Sequence, residues 1–135
     1  MQEEVINIKS VSKVFKTEKG QCIQALNSVS LRIKENDFIC VVGPSGCGKS
    51  TLLRITAGLE QASSGHVLYR GSLVTRPDRR LGMVFQEYSL LPWRTVLDNV
   101  GLGLEFAGKP VKYCREIAFK YLELVGLENF ASSYP

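Results

Sequence analysis

Apolar and polar residues alternate over Val5–Ser10 and again over Val29–Lys34, and this period of two predicts half-buried strands of an antiparallel meander. Between them runs a polar stretch, 16–21, with Gly20 as the turn residue. The alternation then stops. Phe38-Ile39-Cys40-Val41-Val42 is continuously apolar, the pattern of a strand covered on both faces in a parallel sheet. A glycine-rich loop follows, and from Lys49 the residues Leu52, Leu53, Thr56 and Leu59 recur at three and four, predicting an amphipathic helix that ends near Gly58. Further strands are predicted at Gly65–Arg70 and Leu81–Phe85, separated by a turn at Gly71 and a charged loop centred on Pro77. After Pro92 the texture becomes helical. Val96, Leu97, Val100 and Leu104 form one face, although Gly101 and Gly103 weaken its second half. A second helix is predicted to start at Pro110 and stop at Gly126, with the stripe Cys114, Ile117, Ala118, Tyr121, Leu122 and Val125 turned inward. No internal repeat is present.

Composition places limits on this picture. The chain has 135 residues, 44% hydrophobic and 22% charged, enough for one core without staples and unlike a disordered or collagenous sequence. Seventeen Lys and Arg against thirteen Asp and Glu leave a net charge of +4, too mild to imply nucleic acid as a partner. Arg70, Arg76, Arg79 and Arg80 read as a solvated basic stretch. No apolar run reaches the roughly 20 residues that a spanning helix needs, and Met1-Gln2-Glu3-Glu4 is acidic where a signal peptide is basic, so the expected location is cytoplasmic. Cys22, Cys40, Cys47 and Cys114 contain no C-x-x-C pair and are accompanied by the single His66, which argues against a zinc site or a disulfide framework.

The chemistry lies in Gly43-Pro44-Ser45-Gly46-Cys47-Gly48-Lys49-Ser50, which fits G-x-x-x-x-G-K-[ST] between a predicted strand and a predicted helix. Such a loop turns successive backbone N–H groups inward, its glycines allow positive φ and close approach, and the following helix adds its positive N-terminal end. Lys49 is expected to reach the β- and γ-phosphates of a nucleotide, and the Ser50 hydroxyl to ligate its Mg²⁺. The motif arises by chance in about half a percent of chains this long, so a fortuitous glycine-rich turn is the weaker reading. Cys47, at a helix N-terminus beside Lys49, occupies a position where thiols react readily and where a bound nucleotide would shield it.

A P-loop alone leaves the class of NTPase open, but the chain resembles the ATP-binding subunits of ABC transporters over essentially its whole length. Val11–Phe15 resembles the family's adenine-stacking segment, and the strand from Ala25-Leu26 to Ile33 and GPSGCGKST at Gly43–Thr51 follow in order. Ala57-Gly58-Leu59 and Ser64-Gly65 match family turns, and Val84-Phe85-Gln86 resembles the Q-loop. The stretch Leu90-Leu91-Pro92-Trp93 through Val100 is similar to importers of nitrate, sulfonate and taurine type. The resemblance implies an α/β P-loop NTPase of ABC ATPase type: an N-terminal antiparallel meander, a partial parallel sheet and the start of a helical subdomain. A nucleotide-binding core over 1–92 and a helical part over 93–135 are the expected divisions. It implies ATP bound by Phe15, which would stack on adenine, and by Gly43, Pro44, Ser45, Gly46, Cys47, Gly48, Lys49, Ser50 and Thr51. Lys49 and Gln86 are implied as catalytic, and Ser50 and Gln86 as the residues around Mg²⁺.

The implied partners are a membrane permease, met through Gln86–Val100, and a second ATPase subunit in a homodimer, with the protein peripheral on the inner face of the plasma membrane. The Leu90–Trp93 knot either packs a hinge or is exposed for that partner. The family's LSGGQ-type signature, its Asp-Glu pair and its switch histidine have no counterpart here, His66 lying too early for the last. The sequence therefore reads as the N-terminal part of such a subunit, expected to be inactive alone. A truncated module that binds ATP without hydrolysing it is the alternative; a small-molecule kinase explains neither Val-Phe-Gln nor Leu-Pro-Trp.

Overall fold

The computed structural model describes residues 3–135; Met1 and Gln2, which open the acidic N-terminal stretch, lie outside the described residues. The chain separates into two compact units that divide between Val84 and Phe85.

The first unit is built on a long hairpin, β1 (Glu4–Lys16) and β2 (Cys22–Lys34), closed by a turn in which Gly20 has φ 77° and its N–H donates to the Thr17 carbonyl. Both strands run well past the alternating segments. The alternation fades because the ladder shifts register between Ile8 and Val11 and twice more by Val14, and each bulge swaps which face a side chain meets. Ser10 and Ser28 take positive φ beside these bulges, and the Ser30 and Ser12 hydroxyls accept from their N–H groups. On the other side β1 pairs with β3 (Ser64–Tyr69), which turns through Arg70-Gly71 into the two-residue β4 (Ser72–Leu73). Both turn residues have positive φ, the primed geometry that suits a two-residue hairpin. The sheet order is β2-β1-β3-β4, antiparallel throughout.

Helix α1 (Lys49–Thr56) lays Leu52 and Ile55 on this sheet against Ile8, Val11, Leu26 and Val67. Each such side chain, fully buried, contributes about 1.5–3 kcal/mol by leaving water. The predicted parallel part is not formed as a ladder. Phe38–Val42 and Leu81–Phe85 carry no strand, and Phe38 and Val84 are 94% and 97% exposed. Sequence pattern alone cannot make a strand: the segment needs a neighbour for its N–H and C=O groups, and neither finds one among the described residues. Instead Ile39 and Val41, with Leu81–Val84, border an apolar trough of about 320 Å³ beside α1.

The second unit contains α2 (Val96–Phe106) and α3 (Val111–Leu124), followed by a short 3₁₀ turn, Glu128–Phe130. Thr95 caps α2, its hydroxyl accepting from the Asp98 N–H at 3.2 Å. Gly101, which looked like a weak point, is where the helices meet: a Cβ there would touch Cys114 and Ala118 of α3 at 3.5–3.7 Å. The buried stripe of α3 is narrower than expected. Cys114, Ala118 and Leu122 are covered, whereas Tyr121 and Val125 are exposed, because α3 packs chiefly against α2 and buries a single row. Pro110 stands at the cap and not inside the helix. All three helices stop alike. Gly58, Gly108 and Gly126 take φ 73° just past the ends, and the residue after each donates five residues back, to Arg54, Leu104 and Leu122.

Candidate functional site

The loop from Gly43 enters α1 through Gly48, which has φ 95°, and Gly46 has φ 80°. At Gly48 glycine is required twice over. A side chain would be strained by the backbone and would strike the Ala25 carbonyl and the Leu26 side chain of β2. Gly46 faces open space, so its requirement is conformational alone. Because Gly48 has no side chain to cap α1, the first-turn N–H groups of Lys49, Ser50 and Thr51 are left to an outside acceptor. The helix itself starts cleanly, Leu52 N–H donating to the Gly48 carbonyl at 2.9 Å. Pro44, Ser45 and Cys47 are exposed along the loop, and Ser50 is exposed on the first turn.

Lys49 is folded over this loop. Its Nζ donates to the Gly43 carbonyl at 2.8 Å and the Pro44 carbonyl at 2.7 Å, and lies 3.6 Å from Cys47 Sγ. The ammonium thus lies against the loop's own carbonyls, and no carboxylate among the described residues pairs with it. An anion with several oxygens fits this combination of one cation, three uncapped N–H groups and two positive-φ glycines.

Phe15 lies near the end of β1, opposite Ile23, and is 39% exposed. It belongs to the same unit as the loop, and a short chain of contacts joins them. Gly48 abuts Ala25 and Leu26, Leu26 is the cross-strand partner of Lys13, and Lys13 Nζ stands 4.9 Å from the centre of the Phe15 ring. Lys13 was not conspicuous in the sequence; its spacing of two from Phe15 was the one available signal. It is ion-paired with Glu60 at 2.6 Å and donates to the Gln61 carbonyl at 2.7 Å. That ammonium holds the Glu60 carboxyl below its ordinary pKa.

Gln86 sits on an exposed bend in the second unit, and not at the end of a strand. Downstream, Leu91 is half-buried while Leu90 and Trp93 are exposed, Trp93 by 71%, so the apolar knot is divided between packing and surface. The residue that shapes it is Asn99, whose amide bonds to the backbone of Leu91, Arg94 and Thr95. His66 is an exposed member of β3 opposite Lys9. In the charged loop Arg80 grips Asp78 with both its Nε and Nη2, keeping that carboxyl far below the usual range, and lies over Tyr69. Among the described residues no helix is long and apolar enough to cross a membrane.

This geometry has close counterparts. An uncharacterized ABC transporter ATP-binding protein of Methanocaldococcus jannaschii is 47% identical over 130 residues, which are 96% of this chain and 48% of that protein. A nitrate import ATP-binding protein of Synechocystis is 44% identical over 130 residues, with the same coverage of each. The chain thus spans about half the length of these relatives. Among solved structures, a dimeric ATP-binding cassette in a post-hydrolysis state with ADP and Pi superposes with a TM-score of 0.83 at 34% identity, over 96% of this chain and 61% of that one. The family described as ABC transporter matches residues 26–135, from the β2 strand that supports the loop to the last residue, and the chain belongs to that family.

Proposed function

We propose that the protein is the ATP-binding subunit of an ABC importer, which binds MgATP and couples its hydrolysis to solute movement through a membrane permease. The observation that carries this reading is the loop at Gly43–Ser50, where Lys49 Nζ is held by two loop carbonyls over uncapped helix N–H groups. In this reading the N–H groups of Gly46–Thr51 receive phosphate oxygens, and Lys49 leaves the carbonyls of Gly43 and Pro44 to meet the β- and γ-phosphates. Pro44, Ser45 and Cys47 complete that cradle. Mg²⁺ is a hard cation that takes oxygen ligands, and the Ser50 hydroxyl beside the loop is of the right kind, as the Gln86 side-chain oxygen is in its chemistry alone. When bound it would neutralise charge on the phosphates. Phe15 offers its ring to the adenine, where base stacking on an aromatic is worth about 1–3 kcal/mol.

The relatives named for import favour an importer, placed on the cytoplasmic face of the membrane, and the dimeric cassette favours pairing of two ATPase subunits. Exposed Leu90 and Trp93, on the surface between Gln86 and Val100, are the side chains we assign to permease contact. Titration of the full-length gene product with a ribose-labelled fluorescent ATP tests the central claim. Binding that requires Mg²⁺ for full strength and falls more than about tenfold in Lys49→Ala is the expected result. A Lys49→Ala protein that binds like the parent would overturn it.

A further inference from the structure

We propose that Lys13 is a positioning residue for the nucleobase: its ammonium covers one face of the Phe15 ring and fixes that ring so that the other face is presented to adenine. This rests on the reading of Phe15 as the base platform.

An aromatic side chain near a strand end, 39% exposed, is free to turn about χ1 unless something holds it. Lys13 does so with an ammonium that is itself immobilised. Two of its three N–H groups are engaged, by Glu60 Oε1 at 2.6 Å and the Gln61 carbonyl at 2.7 Å, and its side chain is mostly buried. The segment that supplies these acceptors is stitched to β1 a second time. The Ser63 N–H donates to the Ser12 carbonyl at 2.8 Å, and the Ser63 hydroxyl accepts from the Val14 N–H at 3.0 Å. Residues 60–63 follow α1 after the turn at 57–59, and α1 is the helix that opens at the phosphate loop. The same rigid connection therefore runs from the phosphate site through Glu60 and Lys13 to the ring.

The electrostatics point the same way. A cation 4.9 Å from the ring centre is attracted by the negative π face and draws electron density toward itself. The opposite face is left poorer in density, the better surface for stacking an electron-rich purine.

The test uses the full-length gene product, with MgATP and magnesium tripolyphosphate as two probes, the second lacking a base. Lys13→Met keeps the stem and removes the charge. ATP affinity is expected to fall roughly two- to fivefold while tripolyphosphate affinity stays as it was. Lys13→Arg is expected to restore ATP binding, and Lys13→Met is expected to have no further effect in a Phe15→Leu background. Equal losses for both probes, a loss that persists without Phe15, or no loss while Phe15→Leu weakens ATP would each overturn the role of Lys13. A Phe15→Leu protein with unchanged ATP affinity would overturn the platform itself. Should Lys13→Met not fold, Glu60→Gln frees the ammonium from its carboxylate and is expected to weaken ATP but not tripolyphosphate; the absence of that difference would also overturn the proposal.

Discussion

The Asn99 carboxamide pairs with the main chain of Leu91 from both sides, its Oδ1 accepting from the Leu91 N–H at 2.7 Å and its Nδ2 donating to the Leu91 carbonyl at 3.1 Å. The same Nδ2 also meets the carbonyls of Arg94 and Thr95 at 3.1 and 2.9 Å. One side chain on α2 thereby fixes the turn that carries Pro92 and Trp93. Asn99→Ala is predicted to destabilise the second unit by about 2–3 kcal/mol, since several polar groups lose their partner together. Asn99→Asp should be no better, because a carboxylate would face three carbonyls. Hydrogen exchange at the Leu91 amide, faster in both variants than in the parent, is the measurement.

The two positive-φ glycines of the loop should respond unequally. Gly46→Ala meets open space and pays for left-handed backbone alone, about 1–2 kcal/mol. Gly48→Ala adds a collision with the Ala25 carbonyl, and a total above about 3 kcal/mol is expected. Urea denaturation of both variants would show the order, and equal midpoints would contradict the close approach of loop and β2.

Cysteine labelling offers a probe of the loop that needs no mutation. Cys22, Cys40 and Cys47 are exposed and Cys114 is buried. Maleimide should modify the first three and spare Cys114, and MgATP should protect Cys47 alone, read out by peptide mapping. Equal labelling of Cys47 with and without nucleotide would contradict its place in the phosphate cradle.

The Lys13–Glu60 pair predicts a pH effect with a definite sign. Glu60 is held below its unfolded value of about 4.3, chiefly by its hydrogen bond from Lys13. A depressed carboxyl adds stability above the unfolded pKa and loses it as pH falls through the folded one. Glu60→Gln should therefore have a lower urea midpoint than the parent above about pH 5, and the two should converge in more acidic solution. A gap that widens with acid would reverse the assignment.

Much of the architecture was legible wherever a single physical signal dominated. The P-loop motif located the start of α1 to the residue, and glycines after periodic stretches marked helix ends because left-handed caps favour glycine. What escaped depended on neighbours. Bulges at Ser10 and Ser28 carried β1 and β2 through segments whose alternation had lapsed. Phe38–Val42 has the composition of a buried strand without a ladder to join. The inward face of α3 was too wide on paper because periodicity does not count how many helices lie opposite. Lys13 and Asn99 were invisible as ordinary polar residues, since their importance comes from partners 47 and 8 positions away.

The posture of Lys49 changes how any nucleotide affinity of this loop should be understood. The ammonium is already solvated by the carbonyls of Gly43 and Pro44, so a phosphate entering the loop takes part in an exchange reaction and not a simple addition. The measured benefit of the lysine is the difference between two good hydrogen-bonding arrangements, and it shrinks with every phosphate oxygen the ligand lacks. A monophosphate would then gain little from displacing it, whereas a polyphosphate could outbid both carbonyls. Ligand length would be sensed by a residue whose competing partners are the loop's own carbonyls.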